Sequence, residues 1–205
     1  MSNAWIEDEA ALHALYGAPM PSSIAKEIDH VDAHYAALVA ASPFCAIASA
    51  GPDGLDVSPR GDGPGFVAVA DSKTLLLPDR RGNNRADTLK NIVADPRVAL
   101  LFLIPGVGET LRVNGTARIS IDPDLCRRFA MDGKPARSVL VVAVERVFFQ
   151  CARAIVRADL WNPAKHVART ALPSTGTILE ALARGAIDAK TYDAELPKRL
   201  SSELY

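Results

Sequence analysis

The chain has 205 residues, of which 49% are hydrophobic and 23% charged, and its formal net charge is −1. This length suits one compact domain with a few added helices, and the composition is ample for a buried core and excludes disorder. The charge balance predicts no nucleic-acid partner and no membrane surface, and the longest apolar runs are too short to span a bilayer. We expect a cytoplasmic protein, because the three cysteines form no CxxC pair and the N-terminus lacks a secretory pattern.

The first predicted element is helical. Apolar side chains recur every three or four positions from Ile24 to Leu38, which predicts one helix over residues 22–41 that ends before Pro43. Strand-like runs punctuated by Gly, Pro and Asp follow it. Their close spacing leaves no room for crossover helices, so we predict an antiparallel meander or barrel of about six strands with helices at one end. The predicted strands are residues 44–50, 55–62, 65–70, 74–78, 97–104, 110–121 and 138–150, and the predicted later helices lie within 85–96, within 123–130 and after Cys151.

The segment PDRRGNNRADTL, residues 78–89, holds three arginines between a predicted strand and a predicted helix. Free N–H groups and the dipole at a helix start favour an anion, and guanidinium forks suit phosphate oxygens. Gly82 would allow close backbone approach or a positive φ, and Asn84 is a candidate helix cap. The alternative is a solvated connector whose arginines pair with Asp79 and Asp87.

A second group of polar side chains lies in the predicted strand at 55–62. Ser58 and Arg60 are two residues apart and therefore point to the same face of that strand. If this strand lies near the one that ends at Pro78, Arg60 joins the pocket formed by the arginine segment.

Several segments, in order along the chain, resemble one known family. They are SPF, DVSPRGD, LLLPDRRGNNRADTLKNI, DPRVALLFLIPGVGETLRVNGTARI and VFFQCARAIVRADLW. Together they resemble the flavin-binding proteins of the pyridoxamine 5'-phosphate oxidase-like split-barrel superfamily, and within it a bacterial subgroup with a PDRxGNxR motif. The resemblance covers about residues 22–162.

The resemblance implies a mainly β fold with α-helices: an FMN-binding split β-barrel with flanking helices. It also implies a homodimer with FMN at the subunit interface. The expected organisation is a helical arm at 1–42 that packs on the barrel or on the partner, the FMN-binding barrel at 43–160, and a helical extension at 161–205.

Cofactor contacts are carried over from the matching motifs. The resemblance places the phosphate at Arg80, Asn84 and Arg85, and it places Ser58 and Arg60 along the ribityl chain or the ring. Trp161, with Arg153 or Arg157, would reach the cofactor across the dimer, although a tryptophan beside a proline is also typical of simple packing. The complete implied cofactor-binding set is Ser58, Arg60, Asp79, Arg80, Arg81, Asn84, Arg85, Asp87, Thr88, Arg157 and Trp161.

Two functions are compatible with this resemblance. The first is an FMN-dependent oxidoreductase that transfers hydride between the flavin and a small molecule, with no residue standing out as a catalytic acid or base. The second is a non-catalytic module that holds FMN, haem or the deazaflavin F420 for storage or sensing. F420 is also the alternative cofactor for the enzyme. The chain lacks the Trp-rich, Arg-x-His segment of the name-giving oxidase, so vitamin oxidation is not expected.

Two other features have competing interpretations. His30 and His34 are four residues apart on a predicted helix, a spacing that two metal ligands can share, but the sequence offers no obvious third ligand and we predict no metal site. Cys45 lies within a predicted buried strand with no neighbouring histidine, which favours a packed thiol over a nucleophile.

Overall fold

The structure is a computed structural model that describes residues 5–202 and residue 205. Within these residues seven strands form one sheet, in which every neighbouring pair is antiparallel. The strands are β1 Phe44–Gly51, β2 Gly54–Gly61, β3 Ala68–Asp71, β4 Thr74–Asp79, β5 Arg97–Leu103, β6 Thr110–Ser120 and β7 Ser138–Gln150. Their order across the sheet is β2-β1-β5-β6-β7-β4-β3.

Helices precede, interrupt and follow this sheet. Asp8, Asp32, Asp122 and Ser174 each accept a hydrogen bond from a main-chain N–H in the first turn of their helix, which is the usual way to start one. The helices are α1 Glu9–Tyr16, α2 Pro21–Ala25, α3 Ala33–Ala41, α4 Asp87–Ala94, α5 Pro123–Arg128, α6 Arg153–Ala158, α7 Thr175–Leu182 and α8 Ala189–Ser202, with 3-10 turns at Pro163–Lys165 and Arg169–Ala171.

The sheet curls until the ends of β2 and β4 meet through side chains. Nε of Arg60 on β2 lies 3.9 Å from Oδ1 of Asp79 on β4. One residue beyond each strand, Asp62 and Arg80 form an ion pair at 2.9 Å. In the described part of the chain no strand pairing joins β2 to β4, so the barrel is split there. The predicted fold class, a mainly β split barrel with flanking helices, is confirmed.

Inward-facing side chains of the strands form the main core together with α3 and α4. Tyr35 and Val39 of α3 and Ile92 of α4 are buried against strand residues such as Ile47 and Leu100. Burying such side chains contributes about 1.5–3 kcal/mol each relative to exposure. A smaller cluster lies beneath α5 and contains Leu76, Cys126, Ala136 and Val139.

Helix α4 is also fixed on the sheet by polar contacts. The Asn91 side-chain amide donates to Ser49 Oγ on β1 at 3.1 Å, and Ser49 is buried. A Cβ at Gly51 would lie 2.1 Å from Asn91 Oδ1, so this glycine allows the close approach of α4 to β1. The start of α4 is thereby held beside the split between β2 and β4.

The single helix predicted for residues 22–41 is wrong. Helix α2 ends at Ala25, and Ile28 forms an isolated antiparallel bridge with Val147 through two main-chain hydrogen bonds of 3.1 and 2.8 Å. Asp32 then starts α3 by accepting a hydrogen bond from the Tyr35 N–H at 2.8 Å. Ile28, Val31, Tyr35 and Leu38 of the predicted apolar stripe do pack on the core, Ile28 from an extended segment, whereas Ile24 is 61% exposed.

The strand predicted at 65–70 starts later, at Ala68. Gly65 has a φ of 81°, and the Phe66 N–H donates to the Gly63 carbonyl at 3.1 Å, so a turn precedes the strand. Phe66 and Val67 are nevertheless buried.

Outside the barrel, α1 lies at the surface and has no buried residue, whereas α7 and α8 hold each other. The Asp193 carboxylate on α8 accepts hydrogen bonds from the Gly176 N–H at 2.8 Å and from the Ser174 hydroxyl. The division into 1–42, 43–160 and 161–205 stays a prediction. Residues 1–4 and 203–204 of those regions lie outside the described residues.

Candidate functional site

A cavity of about 680 Å³ opens at the split of the barrel, and we call it the arginine groove. It lies between the ends of β2 and β4 and is bordered by the loop that leads into α4. Nine of the predicted cofactor-binding residues line it. They are Ser58, Arg60, Asp79, Arg80, Arg81, Asn84, Arg85, Asp87 and Thr88.

The arginine groove is cationic, although the whole chain is nearly neutral. Its walls carry five arginines and three aspartates, which leaves a formal local charge of two positive units. Pro59, Phe66 and Pro78 supply apolar surface in the same cavity. The groove therefore combines anion-binding donors with an apolar wall, as small-molecule sites commonly do.

The loop into α4 leaves main-chain donors without partners. In the described chain the N–H groups of residues 81–84 donate no hydrogen bond, and Ala86, the residue before α4, provides no side-chain cap. Ala86 has φ 55° and ψ 29°, a left-handed conformation that costs an alanine about 1–2 kcal/mol. Such strain next to a cavity is typical of functional loops.

Two details of the predicted loop are wrong. Asn84 does not cap α4; it has a φ of 61°, and its Oδ1 accepts a hydrogen bond from Arg137. The positive φ angles fall at Asn84 and Ala86 and not at Gly82. A Cβ at Gly82 would meet no atom within 4 Å, so Gly82 faces open space.

The Arg80 guanidinium makes its hydrogen bonds and its ion pair with other groups of the protein. Its guanidinium donates from Nε to Asp62 Oδ2 at 3.1 Å and from Nη1 to the Phe129 carbonyl, and it lies 5.8 Å from the centroid of the Tyr205 ring. The Asp62 side chain is 3% exposed. Arg80 therefore joins two strand ends and a loop, and its contact with a phosphate stays a prediction.

Arg85 is the exposed guanidinium at the start of α4. Its Nε donates to Asp87 Oδ2 at 2.7 Å, and that hydrogen bond holds the pKa of Asp87 below its ordinary value. This pairing is the one expected of a solvated connector. This hydrogen bond uses the Nε–H group of the guanidinium and leaves its two terminal nitrogens without a partner in the described chain.

The β2 side of the groove carries the predicted alternation. Asp56, Ser58 and Arg60 all face the cavity. Asp56 Oδ2 accepts from the Ser58 hydroxyl at 3.0 Å and from the Thr88 hydroxyl at 2.9 Å. Thr88 is buried, so it holds the Asp56 carboxylate in place more than it faces a ligand.

Asp79 is the carboxyl group of the groove that is least compensated. Burial raises its pKa above the ordinary value, while the charges of Arg60 and Arg137 act in the opposite direction. No hydrogen bond to its carboxylate is made by any residue that the structure describes. A proton on Asp79 is therefore more favourable than on an ordinary surface aspartate.

Arg137 and Phe66 also line the groove and were not predicted. The pairing of Asp79 with Ser138 in the β4–β7 ladder brings Arg137 to the groove, and its N–H donates to the Asp79 carbonyl at 3.1 Å. Its Nη1 donates to Asn84 Oδ1 at 2.8 Å. A predicted β4–β7 register was the only signal that could have indicated Arg137.

Trp161 and Arg157 do not line the groove of their own chain. The Trp161 indole N–H donates to the Val107 carbonyl at 2.7 Å, which anchors the segment after α6 to the β5–β6 turn. Arg157 is exposed on α6. Their predicted approach to the cofactor of a partner subunit stays a prediction.

Other candidate features remain outside the groove. Cys45 is buried, and burial raises its pKa to about 12, so the predicted packed thiol is confirmed.

Among the described residues no group of three His, Cys, Asp or Glu side chains is placed to hold a metal ion. None of the described helices combines the length and apolar character that crossing a membrane requires.

The curled antiparallel sheet, split between β2 and β4 with a cationic groove at the split, defines a split-barrel protein. A family model described as pyridoxamine 5'-phosphate oxidase matches residues 31–151, which is more than half of the chain. The chain therefore belongs to the pyridoxamine 5'-phosphate oxidase family.

Several solved structures are similar to this chain. HupZ from Group A Streptococcus is 16% identical, with 59% of this chain and 94% of that chain covered and a TM-score of 0.49. A Clostridium acetobutylicum protein related to general stress protein 26 of B. subtilis, of the pyridoxinephosphate oxidase family, is 16% identical, with coverages of 56% and 84% and a TM-score of 0.44. An FAD-binding protein from Mesorhizobium loti is 18% identical, with coverages of 58% and 94% and a TM-score of 0.41. Similarities at this level say nothing about the ligand of this chain. Among curated proteins, none matches it significantly.

Proposed function

We propose that this protein binds FMN in the arginine groove and uses it as an oxidoreductase on a small molecule. The observation that carries the proposal is the loop of residues 80–86, which presents arginines and unpartnered N–H groups where α4 begins beside the groove. A dianionic phosphate is the ligand that such a helix start and such guanidinium groups favour. Membership of the pyridoxamine 5'-phosphate oxidase family supports the choice of a flavin.

The residues present fit the group. The volume of about 680 Å³ lies within the range of about 300–1,000 Å³ typical of small-molecule sites. Arg81 and Arg85, with the N–H groups of residues 81–84, would hold the phosphate. Pro59 and Phe66 offer the apolar surface that a flat ring system needs.

Bound FMN would supply hydride transfer, and the chain would supply binding, orientation and charge. Thr88 and Ser58 fix Asp56 through hydrogen bonds of 2.9 and 3.0 Å, so one wall of the site is pre-organised. Arg60 faces Asp79 across the split at 3.9 Å and would place a positive charge beside the ring or the ribityl chain. Asp79 is the carboxyl group best suited to hold a proton there, because burial raises its pKa.

We also propose that the active form is a homodimer with the groove near the interface. The edge strand β2, which forms one wall of the groove, exposes 89% of Leu55 and 67% of Val57. Exposed apolar side chains on an unpaired sheet edge are typical of a surface that is covered by a partner. In such a dimer Trp161 and Arg157 of one subunit would approach the groove of the other.

The visible absorption spectrum of the purified protein tests flavin binding directly. The protein is incubated with FMN, F420 or haem in turn, excess ligand is removed by gel filtration, and the retained spectrum identifies the cofactor. Retention of oxidised flavin bands with FMN alone is the expected result. Retention of F420 or haem in place of FMN would contradict the proposal.

Turnover needs its own experiment. The FMN-loaded protein is mixed anaerobically with a reduced nicotinamide nucleotide, the flavin bands are followed, and air is then admitted. Bleaching followed by recovery is the expected result for an oxidoreductase. A bound flavin that dithionite reduces but no reduced nicotinamide nucleotide reduces would instead indicate a storage or sensing module.

A further inference from the structure

Asn84 and Arg137 lie in the wall of the arginine groove and are joined by a hydrogen bond. A second, smaller cavity of about 310 Å³ shares this wall, because Arg80, Arg81, Asn84 and Arg137 line both cavities. Nη1 of Arg137 donates to Oδ1 of Asn84 at 2.8 Å. Among the described residues this is the one hydrogen bond of the Asn84 side chain.

The main chain at Arg137 is firmly held by the sheet. Its N–H donates to the Asp79 carbonyl at 3.1 Å, and its neighbours Ala136 and Ser138 are buried. Ser138 also pairs with Asp79 in the ladder between β4 and β7. The Arg137 side chain therefore extends from a fixed point beside the groove.

The loop on the other side of this hydrogen bond has much less support. Asn84 and Ala86 have positive φ angles of 61° and 55°, which residues other than glycine rarely adopt and which need surrounding contacts to persist. In the described chain, the contact of Asn84 with Arg137 is the one hydrogen bond that ties residues 81–86 to a residue outside the loop and α4. Arg137 is thus the external support of this loop.

Arg137 also determines which way the Asn84 amide is turned. A guanidinium group can only donate hydrogen bonds, so the amide must present its oxygen to Arg137. The Nδ2 group, with two donors, then points elsewhere and donates to no residue that the structure describes. The two ends of an amide are nearly equal in shape, so without Arg137 the oxygen could equally turn toward a ligand. A dianionic phosphate offers only acceptors, and it would be repelled by that oxygen.

We propose that Arg137 is a positioning residue of the flavin site, which turns the Asn84 amide so that Nδ2 donates to the phosphate of FMN. This inference rests on the proposed function. Arg137 acts through Asn84 and does not itself contact the phosphate. The loop thereby gains a side-chain donor of fixed direction in addition to its N–H groups and Arg85.

A double-mutant cycle on flavin binding tests this role. Arg137→Met removes the donors and keeps an unbranched side chain. Asn84→Gly removes the amide, and glycine adopts a φ of 61° without strain. Dissociation constants for FMN and for riboflavin, which lacks the phosphate, are measured by flavin fluorescence in wild type, both single variants and the double variant. The titrations are made in about 0.5 M salt, which screens long-range attraction between exposed charges.

Arg118→Met is the matched control, because Arg118 is an exposed arginine on β6 that lines neither cavity. It should bind both flavins as wild type does. We expect Arg137→Met to weaken FMN binding about five-fold, as for the loss of one oriented hydrogen bond, and Asn84→Gly to weaken it at least as much. Adding Arg137→Met to Asn84→Gly should cause no further loss. Riboflavin binding should be unchanged in every variant.

Three results would overturn the inference and leave the proposed FMN site intact. The first is an FMN affinity of Arg137→Met equal to that of wild type. The second is an equal loss from Arg137→Met with and without the Asn84 amide, which would mean that Arg137 contacts the phosphate itself. The third is an equal loss for riboflavin, which would indicate a purely structural role. Failure of wild type to bind FMN at all would instead overturn the proposed function.

Discussion

The Asp62 carboxylate and the Arg80 guanidinium lie 2.9 Å apart and join the ends of two strands that make no ladder with each other. Burial acts to raise the pKa of Asp62, but hydrogen bonds from Tyr205, the Gly63 N–H and Arg80 together hold it below its ordinary value. The pair therefore closes the barrel at its split and shapes the wall shared by the two cavities.

Breaking this pair should destabilise the protein. Arg80→Ala leaves the nearly buried Asp62 carboxylate without its charged partner, and we expect a loss of about 3 kcal/mol in the free energy of unfolding. Arg97→Ala removes an exposed arginine from its pair with Asp95 and should cost clearly less, because solvent screens an exposed ion pair. Urea unfolding of both variants checks the prediction, and equal losses would contradict it. Because the folded pKa of Asp62 is depressed, the cost of Arg80→Ala should shrink as pH falls through that pKa.

For Asp79 we expect stability to depend on pH in the opposite direction. Burial raises its folded pKa, so the native state binds its proton more tightly than the unfolded chain does. Wild type should therefore lose stability relative to Asp79→Asn as pH rises from the ordinary carboxyl pKa through the raised folded one. Urea unfolding of both proteins across the acid range, and again at neutral pH, measures this difference. A difference that does not grow with pH would mean that Asp79 is not desolvated in solution.

Two glycines give a matched test of close packing. A Cβ at Gly115, in the bulge of β6, would lie 1.9 Å from the Ala143 carbonyl oxygen of β7. Main chain cannot move aside easily, so we expect Gly115→Ala to cost about 3 kcal/mol. A Cβ at Gly51 would meet the Asn91 side chain at 2.1 Å, and that side chain can rotate. Gly51→Ala should therefore cost clearly less in thermal unfolding, and the reverse order would contradict the register of β6 and β7.

The cysteines differ in their expected reactivity. Cys45 and Cys126 are buried and Cys151 is exposed. Burial raises the pKa of Cys45 to about 12, so the thiolate that reacts with alkylating agents is scarce. Mass spectrometry after brief alkylation of the native protein should find label on Cys151 alone. Label on Cys45 before unfolding would show that the barrel opens.

The sequence predicts much of the site because one loop carries much of it. Residues 78–89 hold arginines, asparagines and a helix start within a short segment, and local composition is enough to predict that they converge. Ser58 and Arg60 follow from the two-residue period of a strand. Local pattern gives each group by itself, whereas their meeting in one groove depends on β2 lying near β4.

The parts that the sequence does not predict depend on distant pairing. Arg137 reaches the groove because Ser138 pairs with Asp79, a register that no local pattern reveals. The prediction of one helix over 22–41 is wrong because Ile28 forms a β-bridge with Val147, which lies more than a hundred positions away along the chain. The pair of Arg80 with Asp62 is not predicted for the same reason, because it forms only when the barrel curls.

The central claim is that the loop into α4 holds the phosphate of FMN, and the most direct test compares FMN with riboflavin, which lacks that phosphate. Dissociation constants for both ligands are measured by flavin fluorescence in wild type, Arg85→Ala and Arg97→Ala. Arg97 is the matched control because its side chain is 78% exposed and paired with an aspartate two residues away, as the 76% exposed Arg85 is. We expect Arg85→Ala to weaken FMN binding roughly ten-fold to a hundred-fold, as for a charge-assisted contact of about 1.5–3 kcal/mol, and to leave riboflavin binding unchanged. FMN affinity that is equal in Arg85→Ala and Arg97→Ala, or equal affinity of wild type for FMN and riboflavin, would contradict the claim.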